Sequence, residues 1–246
     1  MCRWFKPSRS RKDFIVRWGL FLCPMEQTMT ISEQKQAMRG KMRSRLRTFC
    51  AENDVPGVSL AVRQTVLASE QFCRADIVLG YFFHGDEADC TDVLYRALLQ
   101  EKAVGVPRVV PHTPNMDFYL LDSTLPFGDQ IERGMFGISE PVASLEKLLV
   151  SPALAQKRIL MLVPGLAFTQ DGRRLGRGKG FYDRYIARLK QTGADVTLAG
   201  FCFPCQIVDD LPTDRHDARM DIVFSAASPR NTRGNRANPQ STRSSR

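Results

Sequence analysis

The segment Lys157-Arg-Ile-Leu-Met-Leu-Val163 is the most apolar run in the chain, and it stops at Pro164-Gly165. Large apolar side chains at every position from Ile159 to Val163 leave no polar face, as expected of a central strand that is covered on both sides and feeds a loop. The flanking patterns fit that strand into an alternating chain. Asp76 to Phe83 reads as a buried strand, Asp89 to Gln100 as a helix with Val93, Leu94, Ala97 and Leu98 inward, and Ala103 to Val110 as another strand. Strand, helix, strand in that order predicts a parallel crossover unit.

Ahead of this unit, Thr30-Ile-Ser-Glu33 has the form of a capping box, and Met38, Met42, Leu46 and Phe49 repeat at helical spacing. Lys35, Arg39 and Arg43 form a basic ridge beside that stripe. A second helix is expected from about Gly57 to Cys73. Further on, Asp117 to Leu121 predicts a short strand, Gly134 to Pro141 a loop and Ser144 to Val150 a helix fragment. Lys179 to Leu189 predicts a helix with Phe181, Tyr185, Ile186 and Leu189 on one face, and Val196 to Phe201 and Asp221 to Phe224 the closing strands. The pattern describes one α/β domain with a mostly parallel sheet.

Charge divides unevenly. The formal net charge is +9, yet residues 1–28 hold six basic and two acidic side chains, residues 226–246 hold five Arg and no acid, and residues 29–225 hold 24 of each. The domain is neutral, so the basic balance says little about what it binds. Residues 1–28 are expected to be a disordered basic extension or the product of a start codon set too early, with a signal peptide as a lesser reading. Residues 226–246 are expected to be a disordered basic tail, because no large apolar residue follows Phe224. No apolar run is long enough to cross a membrane. Seven scattered cysteines argue for a reducing compartment, and Cys202-Phe-Pro-Cys205 reads as buried thiols rather than a metal pair.

The chemistry gathers after the apolar strand. In Arg173-Arg-Leu-Gly-Arg-Gly-Lys-Gly180, seven of eight residues are charged or glycine. Gly176, Gly178 and Gly180 let the backbone approach an anion closely while Arg177 and Lys179 reach it, and the amides of the following helix add partial positive charge. It is no Walker loop, since Arg173 stands at the first glycine position and Gly180 where Ser or Thr would hold Mg²⁺. Asp183 suits a metal on the phosphates, or the helix's first turn. Asp209, Asp210, Asp214, Asp217 and Asp221 form an acidic cluster from which a second ligand is expected.

These motifs resemble the 5-formyltetrahydrofolate cyclo-ligase family, also called 5,10-methenyltetrahydrofolate synthetase. The resemblance is carried by Pro164-Gly-Leu-Ala-Phe168, Arg174 to Asp183, Gly137-Ile-Ser-Glu-Pro141, Lys35-Gln-Ala-Met-Arg39, Asp86-Glu87 and Asp217-Ala-Arg-Met-Asp221, over about residues 30 to 224. It implies a single three-layer α/β/α domain and MgATP-dependent closure of 5-formyltetrahydrofolate to 5,10-methenyltetrahydrofolate, with ADP and phosphate released.

By the same resemblance Lys35, Arg39, Arg174, Gly176, Arg177, Gly178, Lys179, Gly180 and Tyr182 bind ATP, with Lys179 and Arg177 catalytic. Asp183 and Asp221 hold Mg²⁺. Phe82, Glu87, Phe136 and Phe181 form the folate site, Phe181 standing where the family has Tyr. Read from the residues alone, Lys35 and Arg39 also fit a solvated helix face, Phe82 and Phe136 plain core packing, and Glu87 a charge near a helix start. The implied enzyme is a cytoplasmic monomer acting on a small molecule, with neither membrane nor nucleic acid as partner. Two other readings stand beside it, an ATP-dependent kinase or ligase of another small molecule, and nucleic-acid binding through the Arg-rich ends.

Overall fold

Helix α1 (Ile31–Glu52) begins where the capping box sets it. The Glu33 amide donates to Thr30 Oγ1, and the Thr30 amide to the Glu33 carboxylate. Met42 and Leu46 of its apolar stripe are buried, with Met38 and Phe49 packed beside them. The helix expected from Gly57 to Cys73 is two, α2 (Val55–Leu67) and α3 (Glu70–Arg74). The chain breaks at Ser69, where the backbone is extended and the hydroxyl accepts the Phe72 amide, which starts α3 afresh. The computed structural model describes residues 29–134, 137–226 and 230–231. The expectations for residues 1–28, for Phe136 and for most of the tail lie outside those residues.

Strand β1 (Ile77–Leu79) is shorter than its apolar run. Past Leu79 the chain folds into a loop tied from within, Tyr81 Oη donating to the Ala88 carbonyl and Cys90 Sγ to the Tyr81 carbonyl. Then come α4 (Thr91–Leu99), β2 (Ala103–Val109) and β3 (Met116–Leu120). Two expectations fail in the next stretch. The 134–141 loop contains half of a hairpin, with β4 (Ile131–Arg133) pairing antiparallel to β5 (Ser139–Pro141). Residues 144–150 form no helix but run along the edge of β3, where the Leu120 amide donates to Glu146 O and the Leu148 amide to Phe118 O. Those edge groups offer the segment more than a two-turn helix would.

The remaining elements are β6 (Arg158–Val163), β7 (Ala167–Phe168), β8 (Arg174–Leu175), α5 (Phe181–Lys190), β9 (Asp195–Phe201), β10 (Ile222–Phe224) and β11 (Arg230–Asn231). Seven strands form one sheet in the order β11-β10-β9-β6-β1-β2-β3, parallel except for β3 and β11 at the two edges. β11 comes from the segment expected to be unstructured. Its backbone covers the open edge of β10, and backbone pairing needs no apolar side chains.

The middle strand, β6, is the apolar run with which the sequence begins to make sense. Leu160 and Leu162 point into a core shared with α1, α2 and α4, while Ile159, Met161 and Val163 point into a second core with α5. There Tyr185 of α5 meets Phe118 with ring centroids 4.6 Å apart. Three layers, α/β/α, follow from that alternation. From β1 the chain winds outward to β2 and β3, then returns across the sheet to β6 and winds the other way. A crevice therefore opens beyond the carboxyl ends of β1 and β6, the usual binding place in such sheets.

Candidate active site

A cavity of about 570 Å³ occupies that crevice. It is within the range of small-molecule sites, roughly 300 to 1,000 Å³. One wall is the glycine-basic loop between β8 and α5. Gly178 has φ +101° and Gly180, at the start of α5, φ +67°, conformations that side chains rarely adopt. A Cβ at Gly178 would lie 3.3 Å from the Arg39 guanidinium carbon, so the first helix rests directly on the loop. Arg39 Nε donates to the Gly176 carbonyl at 3.0 Å and fixes that approach.

Each basic residue of the site has a distinct setting. Lys35 is largely buried and pairs with Asp217 at 2.6 Å. Arg177 bridges to the loop after β1, with Nη2 on Asp86 at 2.6 Å and Nε on Glu87 at 2.9 Å. Burial alone would lower the Arg177 pKa, but the charges of Glu87 and Asp86 raise it above its ordinary value. Arg174 is buried, donates to Asp183 Oδ1 at 2.8 Å and to the Pro164 carbonyl at 3.1 Å, and lies over the Tyr182 ring. It buttresses Asp183 and the loop more than it offers charge to a ligand. Lys179 is the exposed cation between the two left-handed glycines, and its carbonyl is held by Arg184 Nη2 at 2.7 Å.

The carboxylates separate in the same way. Asp183 is at the cavity wall in the first turn of α5. Burial would raise its pKa, but the Arg174 charge and the Ala218 amide outweigh burial and hold it below the usual carboxylate range. It is an ionised group at neutral pH. Glu87 also lines the cavity, with Oε1 on Arg177 and Oε2 accepting the His84 amide at 3.1 Å. Of the acidic cluster, the residue brought to the site is Asp217 and not Asp221. Asp221 lies at the amino end of β10, where Oδ2 accepts the Leu198 amide at 3.0 Å and its own amide donates to Leu198 O. It belongs to the β9–β10 seam, and the parallel direction of those strands sets that end away from the crevice.

The cavity wall also carries apolar side chains, Phe82, Pro107, Val109, Met116 and Phe181. Phe82 is 7% exposed and stacks edge-on against Phe127, so it serves core and cavity together. Burial, with Glu87 next in effect, pushes the Tyr182 hydroxyl pKa well up, and it stays protonated. Tyr81 and Glu140 line the cavity without having been singled out in the sequence as site residues. Tyr81 gave no signal beyond its place after a strand, whereas Glu140 stands in the Gly137–Pro141 motif.

A family model described as the 5-formyltetrahydrofolate cyclo-ligase family matches residues 31–226. The chain belongs to that family. The 5-formyltetrahydrofolate cyclo-ligase of Mus musculus is 30% identical over 205 residues, 82% of this chain and 98% of the relative. The Haemophilus influenzae cyclo-ligase is 27% identical over 194 residues, covering 78% and 98%. Among solved structures, the 5,10-methenyltetrahydrofolate synthetase of Aquifex aeolicus superposes with a TM-score of 0.65 at 27% identity, covering 83% of this chain and 95% of that one. This cyclo-ligase family member is thus a ligase, and the glycine-basic loop, α1 and the loop after β1 are the parts of it that close around the cavity.

Proposed function

We propose that this chain catalyses the MgATP-dependent cyclisation of 5-formyltetrahydrofolate to 5,10-methenyltetrahydrofolate. The observation that carries the reading is the lining of one cavity, which combines the cations Lys35, Arg39, Arg177 and Lys179 with the apolar side chains Phe82, Pro107, Val109, Met116 and Phe181. The cations suit a triphosphate and the apolar side chains a pterin. In the reaction the formyl oxygen attacks the γ-phosphorus and ADP leaves. N10 then adds to the activated formyl carbon and loses its proton, and the carbon–oxygen bond breaks to release phosphate.

No side chain needs to act as a nucleophile in this sequence, so the work falls to positioning and charge. Arg39, clamped to Gly176, and Arg177, clamped by Asp86 and Glu87, are rigid donors for the nucleotide phosphates. Lys179 sits where its ammonium can follow charge from the γ-phosphoryl to the phosphorylated formyl oxygen. Gly176, Gly178, Gly180 and Tyr182 shape the nucleotide wall, and Phe82, Glu87 and Phe181 the folate wall. Asp183 and Asp217 fit a hard cation of the Mg²⁺ kind. Among the described residues no group of three or more His, Cys, Asp or Glu could hold an ion, and Mg²⁺ needs only one or two carboxylates when phosphates and water complete its shell. When bound, Mg²⁺ would neutralise phosphoryl charge.

Cys50, Cys73, Cys90, Cys202 and Cys205 are free thiols, which suits a reducing compartment such as the cytoplasm. Among the described residues no helix is long and apolar enough to cross a membrane. The test of the function is formation of the methenyl product from 5-formyltetrahydrofolate with MgATP and its absence when ATP is left out.

A further inference from the structure

Lys179 stands between two left-handed glycines, a stretch of backbone with wide conformational freedom of its own. Its place is set by contacts from outside the loop. Arg184, in the opening turn of α5, donates from Nη2 to Lys179 O at 2.7 Å. The same guanidinium donates to the Pro114 carbonyl in the turn between β2 and β3, from Nε at 2.6 Å and from Nη2 as well. It thus bridges two carbonyls from separate parts of the chain, and its carbon lies 5.8 Å from the centre of the Phe181 ring. Gly180 makes room for it, since a Cβ there would lie 2.8 Å from Arg184 Nη1. The Arg184 amide donates to the Gly180 carbonyl at 3.2 Å, so one residue holds the two successive carbonyls of Lys179 and Gly180.

A cation in the opening turn of a helix works against the positive end of the helix dipole, so its contacts beyond the helix must compensate. The far end of the bridge is well anchored. The β2–β3 turn is closed by the Val110 amide on Asn115 O at 3.0 Å, and α5 packs on β3 through Tyr185 and Phe118. Lys179, Gly180, Phe181, Tyr182 and Asp183 all line the cavity, whereas Arg184 does not. Arg184 therefore acts through its neighbours. Resting on the proposed function, we propose that Arg184 is a positioning residue for the phosphoryl transfer, fixing the peptide between Lys179 and Gly180 so that the Lys179 ammonium meets the transferring group. Charge stabilisation of that kind depends on placement, and an error of about 1 Å can cost about a hundredfold in rate.

A double-mutant cycle in the full chain tests this. Single-turnover formation of the methenyl product at saturating MgATP is measured for the wild type, Lys179→Met, Arg184→Ala and the double variant, alongside equilibrium ATP binding. Arg184→Ala should slow product formation by about tenfold or more. ATP affinity should stay within about twofold of wild type, because Arg39 and Arg177 are held by partners other than Arg184. In the Lys179→Met background the same change should cost less than about twofold, since a residue that acts through the ammonium has nothing left to position. Equal losses with and without the ammonium would overturn the proposal, being the mark of a merely structural residue. So would an unchanged rate, or a loss confined to ATP affinity. If Arg184→Ala does not fold, Arg184→Lys, which keeps the charge and gives up the planar fork, takes its place in the cycle with the same readings. Normal turnover by Lys179→Met would overturn the role given to Lys179 and this assignment with it, with the cyclisation itself still standing. Absence of methenyl product from the wild-type chain would overturn the proposed function, and both roles with it.

Discussion

Lys179 and Glu87 differ in what surrounds them, and their variants should differ accordingly. Lys179 is exposed on the loop between Gly178 and Gly180, where a ligand can draw it in. Lys179→Met keeps the stem and removes the charge. It should lower kcat by about a hundredfold or more, the scale of losing one electrostatic stabiliser of the transition state. Nucleotide binding should weaken only modestly, because Lys35, Arg39 and Arg177 remain. Single-turnover product formation at saturating ATP, set against equilibrium ATP binding, checks this, and normal turnover with poor binding would make Lys179 a ground-state phosphate ligand. Glu87→Ala, by contrast, removes a partner of Arg177. It should raise KM for both folate and ATP, and steady-state kinetics with each substrate varied would show that joint effect. For the metal, Asp183→Asn and Asp217→Asn should each raise the Mg²⁺ concentration needed for half-maximal activity, since an amide lacks the charge that offsets the cation's dehydration. Asp221→Asn should leave it in place, given the Leu198 backbone that Asp221 serves.

Among the elements, the third layer depends on charge as well as packing. Asp117 of β3 is 7% exposed and pairs with Lys147 at 2.6 Å and with Arg188 of α5 at 3.0 Å. Burial would raise its pKa, but the bonds to those two cations bring it below the ordinary value. A carboxyl depressed in the folded chain contributes stability that is present above its unfolded pKa, near 3.9, and lost as pH falls through the folded value. Asp183 and Asp171 are depressed in the same direction, so the melting temperature should hold near neutrality and drop below about pH 4. Asp117→Asn should cost about 1 to 2 kcal/mol at pH 7, discounted because both cations are nearly half exposed. Denaturant melts across pH would show that loss together with a shallower acid limb. Elements with strong periodicity or a capping signal, such as α1, α5 and β6, are legible in the sequence. Apart from the local cap at Ser69 that splits the helix expected from Gly57 to Cys73, the failures are cases of tertiary pairing. Residues 144–150 and β11 take their conformation from a sheet edge that no local pattern announces, and Asp217 and Asp221 are indistinguishable until the direction of β10 is known. In the same way the glycine loop is readable as an anion cradle from its composition, whereas Glu140 emerges only once the β4–β5 hairpin folds over the cavity.

Taken whole, the molecule is a neutral catalytic domain with its excess positive charge outside residues 29–225. A chain trimmed to residues 29–231 keeps every strand described here, β11 included. It should fold, bind nucleotide with unchanged affinity and turn over at the rate of the full chain, while its affinity for RNA at low salt falls. Loss of turnover on trimming would show that the ends belong to the site. The crevice between β1 and β6 is the feature on which all else converges, since it brings α1, the loop after β1 and the glycine loop to one ligand-sized space. The most direct measurement is the near-ultraviolet absorbance of the full chain mixed with MgATP and 5-formyltetrahydrofolate. An ATP-dependent rise to the spectrum of 5,10-methenyltetrahydrofolate, with one ADP formed per product, is the predicted result. ATP hydrolysis with no methenyl product, or no reaction of the folate at all, would contradict the account.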